Sequence, residues 1–213
     1  MIIAIDGPAG SGKSTIARLL AERLGIRFLD TGAMYRAVAL AVVDSDVSES
    51  DQQAVGKLAT NVRVEFQDDA LLLNGSDVSD RIRSPEVTAI SSVIAANPLV
   101  RERMVQLQRE IGKTGSLVTE GRDQGTVVFP AAEFKFFLTA SVDARARRRH
   151  RELLAKGSTL TLDTVRTQLR QRDQRDENRE HAPMKPAEDA RIIDTSDLSI
   201  ADVIEHLLKT VQA

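Results

Sequence analysis

Apolar residues along the chain gather in short runs bounded by turn formers, at 2–6, 26–30, 116–120, 134–140 and 190–194. Between most of these runs they recur at three- and four-residue spacing instead, over 13–24, 32–43, 98–112, 163–178 and 199–211. Short continuous runs predict buried strands, and the longer period predicts amphipathic helices. Their alternation predicts an α/β protein with a parallel sheet covered by helices on both faces. Two stretches break the alternation. Residues 61–83 alternate with period two about "QDD", with "NG" following, and predict an antiparallel hairpin within an insertion. Residues 141–160 are rich in arginine, end near "KGST", and predict a mobile flap. Ser199 ahead of "IADVIEHLLKTV" predicts a capped, amphipathic last helix with a structural role. No internal repeat or low-complexity linker interrupts the pattern.

Composition narrows the class without naming the chemistry. A chain of 213 residues, 42% of them hydrophobic, suits one compact domain with a small insert. No apolar run reaches membrane-spanning length, and no secretory leader is expected, because the first strand is short and runs straight into a glycine-rich loop. The absence of cysteine excludes disulfides and thiol chemistry and is compatible with a cytoplasmic protein. A formal charge of −2 argues against a general nucleic-acid binder. The arginines are nevertheless concentrated, in "RARRRHR" (145–151) and "RTQLRQRDQRDENR" (166–179), as suits a local surface facing small polyanions. His150, His181 and His206 are scattered and have no metal-ligand spacing.

The first loop carries the sharpest signal. "IDGPAGSGKST" (5–15) fits G-x-x-x-x-G-K-[ST] at Gly7, Gly12, Lys13 and Ser14, between a strand and a helix. Gly7, Pro8, Ala9, Gly10, Ser11 and Gly12 would turn backbone N–H groups toward phosphate oxygens, at a helix N-terminus that begins with Lys13, Ser14 and Thr15. Lys13 would reach the outer phosphates of ATP, and the Ser14 hydroxyl would ligate Mg²⁺. The bland alternative is a glycine-rich turn with a solvent-facing lysine. No N-K-x-D is present to read guanine, and the third strand ends "LVTEGRD" rather than in the Asp-Glu of a motor ATPase. "FLDTGAMYRA" (28–37) sets Thr31 and Arg36 at the start of a helix leaving the carboxyl edge of the sheet, where ligands bind. "EGRDQGTVV" (120–128) sets Arg122 and Asp123 at the same edge, and Arg172, Asp176 and Arg179 follow at i, i+4 and i+7 spacing. Taken alone, each charged residue reads equally well as part of an ordinary surface, Arg172 paired with Asp176 on a solvated helix and Arg36 simply exposed. Together they predict a second anionic ligand.

Taken together, "GPAGSGKST", "DTGAMYRA", "EGRDQGTVVFP", "RRRHRELLAKG" and "RDQRDENR…APMKPA" resemble the bacterial cytidylate kinases over essentially the whole chain. The resemblance implies a P-loop kinase fold with a five-stranded parallel sheet, a small antiparallel inserted domain and an arginine-rich lid. In this chain these would be a core of 1–47, 96–140 and 161–213, an insert of 48–95 and a lid of 141–160. It implies transfer of the ATP γ-phosphate to CMP and dCMP with Mg²⁺, by a cytoplasmic monomer that binds neither nucleic acid nor membrane. It puts Arg36 and Arg122 on the acceptor phosphate, Ser92, Arg101 and Asp123 near the cytosine, and Thr31 in the acceptor pocket. Arg172 and Asp176 match the ribose-binding pair, Arg179 the last acceptor arginine, and Arg148 and Arg149 the lid positions facing ATP. Glu120 stands where many members have Asp. Lys13, Arg122, Arg148 and Arg149 are then the catalytic set. Other kinases on the same core (shikimate, adenylate or UMP kinases) and a non-enzymatic nucleotide-binding module are the alternatives.

Overall fold

Residues 1–67 and 70–212 are described by a computed structural model. In chain order the elements are β1 (Ile2–Asp6), α1 (Lys13–Leu24), β2 (Arg27–Asp30), α2 (Thr31–Val43), α3 (Gln52–Asn61), β3 (Val64–Gln67), β4 (Ala70–Leu73), β5 (Ser76–Asp77), α4 (Pro85–Ile94), α5 (Pro98–Gly112), β6 (Leu117–Gly121), β7 (Phe134–Thr139), α6 (Val142–Ala155), α7 (Leu162–Asn178), β8 (Arg191–Asp194) and α8 (Ile200–Val211). A 3₁₀ turn at Arg81–Arg83 and a π-helical turn at Gln124–Val128 complete the set. The chain divides into two compact units, one of residues 1–29 and 114–213, the other of residues 30–113.

The first unit is built on a five-stranded sheet of order β2-β6-β1-β7-β8. β1 pairs in parallel with β6 on one side and β7 on the other, and β7 pairs in parallel with β8. Strands covered on both faces read as unbroken apolar runs, as Ile2-Ile3-Ala4-Ile5 does. Ile3, Ile5, Val118, Phe136 and Leu138 form one core with Ile16, Leu20, Val203 and Leu207 from α1 and α8. Ser199 accepts from Asp202 N while Asp202 accepts from Ser199 N, a reciprocal capping box at the start of α8. The register aligns Asp6 with Gly121 and Phe137, so the loops after β1 and β6 leave the same edge of the sheet.

The second unit surrounds α2, which is buried over nearly its whole length, with α3, α4 and α5 and a small antiparallel sheet of order β3-β4-β5. Asn97 caps α5 by accepting from Leu99 N and Val100 N, and donates to Gln52 O at 2.8 Å to fasten α3. Asp68 and Asp69, at the turn predicted from "QDD", lie outside the described residues, but the flanking strands pair antiparallel from Val64↔Leu73 to Gln67↔Ala70. The "NG" makes a second, tighter turn: Asn74 and Gly75 both have left-handed backbone (φ 53° and 84°), the requirement of a two-residue type I′ hairpin.

Three helices were not evident from the pattern. α3 and α4 fall in the 48–95 stretch, where only a hairpin is predicted. α6 falls in the predicted flap, where Ser141 caps a regular helix by accepting from Ala144 N. Its charged face hid the helical signal, since "DARARRRHRELLA" has few apolar residues with which to mark a period. Among the described residues no helix is long and apolar enough to cross a membrane.

Candidate functional site

The loop after β1 is shaped by contacts that only glycine tolerates. At Gly7, φ is 147°, and a Cβ would stand 2.0 Å from the carbonyl oxygen of Leu138 at the end of β7. Gly12, at φ 90°, is the left-handed N-cap of α1. Among the described residues nothing engages the N–H of Gly10 or Gly12, leaving these donors at a helix N-terminus for an anion. Lys13 curls back to donate from Nζ to Pro8 O at 3.2 Å and lies 3.8 Å from a Glu120 carboxylate oxygen. Burial pulls its ammonium down to about 7; the Arg122 charge adds to the shift and Glu120 opposes it. Glu120 offsets only part of the cost of burying a lysine near a guanidinium, and polyphosphate would supply further negative charge.

Glu120, the last side chain of β6 before Gly121, also accepts from Ser14 Oγ at 3.0 Å. Among the described residues no three His, Cys, Asp or Glu side chains converge as a metal cluster. The Ser14 hydroxyl and the Glu120 carboxylate nevertheless bring two hard oxygens side by side, the donor chemistry that Mg²⁺ takes. Mg²⁺ keeps waters and takes substrate phosphates for its other positions, so this small oxygen set fits it.

Beyond β6 the chain enters the π-helical turn, with Val128 N and Phe129 N donating to Asp123 O and Gln124 O. Such turns are rare and are frequently found at functional sites. Asp6, at the end of β1, holds the turn: its two carboxylate oxygens accept from Gln124 N and Gly125 N, each at 2.8 Å. Burial pushes the Asp6 carboxyl up to about 7, although these two donors pull it down.

Arg122 and Asp123 form a crossed pair of ion pairs with the end of α7. Arg122 Nε donates to Asp176 at 2.8 Å, and Arg179 lies 3.5 Å from Asp123. Burial would raise the Asp176 carboxyl, but Arg122, Arg172 and Arg179 together hold it below the ordinary carboxylate range. Burial likewise works against the Arg122 charge, and Asp176 and Glu120 overcome it, leaving its pKa raised. The i, i+4, i+7 reading of Arg172, Asp176 and Arg179 needs one correction. α7 ends at Asn178, and Arg179 is its extended C-cap. Leaving the helix lets Arg179 donate to Ala182 O and reach Asp123.

The remaining predicted residues have definite surroundings. In the second unit, Thr31 is buried at the first turn of α2, and Arg36 lies 3.3 Å from Asp30, which also caps α2 through Ala33 N. Ser92 is buried on α4. Arg101 is buried on α5, donates to Ala95 O and faces the Tyr35 ring at 5.7 Å. In the first unit, Arg148 donates to Thr195 Oγ1 at 3.1 Å and to two backbone carbonyls, while Arg149 pairs with Glu152 on the surface. Asp6, Arg145, Asp173, Thr195 and Tyr35 join these networks without being singled out by the sequence. For Thr195 a signal existed, because it directly follows a strand at the edge where the phosphate loop lies.

A parallel sheet whose central strand opens into a glycine-rich phosphate loop defines a P-loop nucleotide-binding protein. Solved structures share that fold: an uncharacterized protein from Eubacterium ventriosum ATCC 27560 (TM-score 0.56, 14% identity, 100% of this chain and 99% of that one) and a shikimate kinase from Bacteroides thetaiotaomicron (TM-score 0.52, 13% identity, 100% and 99%). The family model of cytidylate kinase matches residues 3–213. A cytidylate kinase from Thermosipho melanesiensis is 49% identical over 99% of this chain and 96% of its own length. One from Geobacter sp. (strain M21) is 45% identical over 100% and 93%. The chain belongs to the cytidylate kinase family.

Proposed function

We propose that the protein transfers the γ-phosphoryl group of ATP to CMP, and to dCMP, giving ADP and CDP or dCDP. The observation that carries this reading is the buried crossed pairing of Arg122 with Asp176 and Asp123 with Arg179, of which Arg122 and Asp176 lie within the electrostatic reach of Lys13. It keeps alternating charges desolvated and fixed in place before any ligand arrives, which is electrostatic preorganisation.

The acceptor phosphate, with a second pKa near 6, is mostly a dianion at neutral pH and needs no general base. One of its oxygens attacks the γ-phosphorus, the bond to the ADP β-oxygen breaks, and the electron pair leaves with ADP. Catalysis is then positioning and charge stabilisation. Lys13 and the loop N–H groups serve the donor. Arg122 and Arg36 serve the acceptor phosphate, a guanidinium fork giving two parallel hydrogen bonds. Mg²⁺, for which Ser14 and Glu120 provide oxygens, would neutralise charge between the phosphates. Thr31, Ser92, Arg101 and Asp123 are proposed for the acceptor base pocket, and Arg172, Asp176 and Arg179 for its ribose and phosphate. Arg148 and Arg149 are proposed to exchange Thr195 and Glu152 for the donor phosphates as α6 closes. The family model and full-length relatives named cytidylate kinase support the choice of CMP.

Coupled ADP release with CMP, dCMP, UMP, AMP and shikimate as acceptors tests the reading, with Lys13→Ala as control. CMP should give the highest kcat/KM. Lys13→Ala should lower turnover by about 10²–10³ with unchanged melting, the loss typical of removing a group aimed at developing charge. Turnover with shikimate or AMP but not CMP would overturn it.

A further inference from the structure

Two carbonyls of the phosphate loop are held from behind by side chains outside it. Arg145, buried on α6, donates from Nη1 to Ala9 O at 3.1 Å. The same guanidinium donates from Nε to Ala140 O at 2.9 Å and is ion-paired with Asp173 on α7. Thr195, only 2% exposed, stands 3.1 Å from Ser11 O through Oγ1. That hydroxyl lies equally close to Thr139 O and accepts from Arg148. It has one proton to give. Thr139 O already accepts from Thr195 N at 2.8 Å, so Ser11 O is the carbonyl that needs the proton.

A trans peptide is planar, with its C=O and the following N–H pointing in opposite directions. Fixing Ala9 C=O therefore fixes Gly10 N–H, and fixing Ser11 C=O fixes Gly12 N–H. Nothing engages either of these N–H groups among the described residues, and glycine has the least intrinsic resistance to a peptide flip. The backing is close: a Cβ on Gly10 would meet Arg145 Cβ at 3.3 Å. We propose that Arg145 and Thr195 are positioning residues for the phosphoryl donor, pinning the loop carbonyls outward so that the Gly10 and Gly12 N–H groups are aimed at its phosphates before it binds.

The inference rests on the loop's being the ATP site, and binding of ATP by the wild type tests that separately. Thr195→Val removes the donor with little change of volume, and Thr195→Ser restores it. Removing one such hydrogen bond should weaken ATP binding and raise KM for ATP about fivefold or more, with KM for CMP within about twofold. Thr195→Ser should return both to wild type. The Gly12 amide ¹⁵N resonance of the unliganded protein should move in the valine variant and return in the serine variant. Thr195→Cys, a poor donor, should follow valine and serves if valine does not fold. Wild-type ATP affinity in Thr195→Val, equal losses for both substrates, or failure of both the valine and cysteine variants to fold would overturn the proposal in favour of a purely structural hydroxyl.

Discussion

Asp6 lies one residue before the phosphate loop, yet its carboxylate serves the turn that carries Arg122 and Asp123. Its pKa makes this testable by pH. Its ordinary value is 3.8, and burial raises it to about 7 in the folded protein. Between those values the folded protein keeps a proton that the unfolded chain has released, so this group's contribution to stability falls as pH rises through that window. Asp6→Asn cannot titrate. Its stability relative to wild type should improve from pH 5 to 7, at up to about 1.4 kcal/mol per pH unit, and level off above. Denaturant unfolding of both proteins across pH checks this; parallel curves would mean that the carboxyl ionises at its ordinary value. Asp123 answers a different question. A fixed carboxylate accepts from the cytosine amino group but faces the uracil carbonyl with no proton between them. Each mismatched polar group in a closed pocket costs about 1–3 kcal/mol, roughly five- to over a hundredfold. Asp123→Ala should therefore narrow the CMP-to-UMP ratio of kcat/KM. An unchanged ratio would confine Asp123 to its pairing with Arg179.

Helices in this chain differ in what their charged faces do. α8 is stabilised by its apolar side and the Ser199–Asp202 capping box and carries none of the proposed chemistry. Ser199→Ala should cost about 1 kcal/mol in thermal or denaturant unfolding and leave turnover unchanged. A loss of turnover at full stability would show that the last helix reaches the site. α7 does the reverse. Its buried face runs Val165, Leu169, Asp173, Asp176, apolar in the first half and acidic in the second. The apolar half packs with Ala9 and Ala146. The acidic half anchors Arg145 and Arg122, so one helix face serves both the loop backing and the proposed acceptor charges.

Across the whole molecule, the division into two units sorts the proposed residues. Every donor-loop residue belongs to the first unit, while Thr31, Arg36, Ser92 and Arg101 belong to the second. The three-stranded sheet of the second unit has strands of four, four and two residues, too small to be stable without packing against the helices. Hydrogen exchange within residues 61–95 should slow when CMP is added and change little with an ATP analogue alone. The opposite pattern would assign this segment to the donor or to another partner.

The sequence by itself determined the helices 13–24 and 98–112 to the residue and the five core strands to within one residue at each end, because buried strands and amphipathic helices write their period directly into the chain. It determined the phosphate loop too, since Gly7 and Gly12 occupy conformations that the local backbone demands. It hid α6, whose face is nearly all charge, and the helices α3 and α4 on either side of the predicted hairpin. Only the tertiary structure decided which charges meet. Arg122 finds Asp176 across 54 residues, Arg145 finds Ala9 across 136, and Thr195 finds Ser11 across 184. Period and motif are properties of neighbouring residues. A buried ion pair or a pinned carbonyl depends on which strand ends the sheet order brings side by side, and no local pattern records that order.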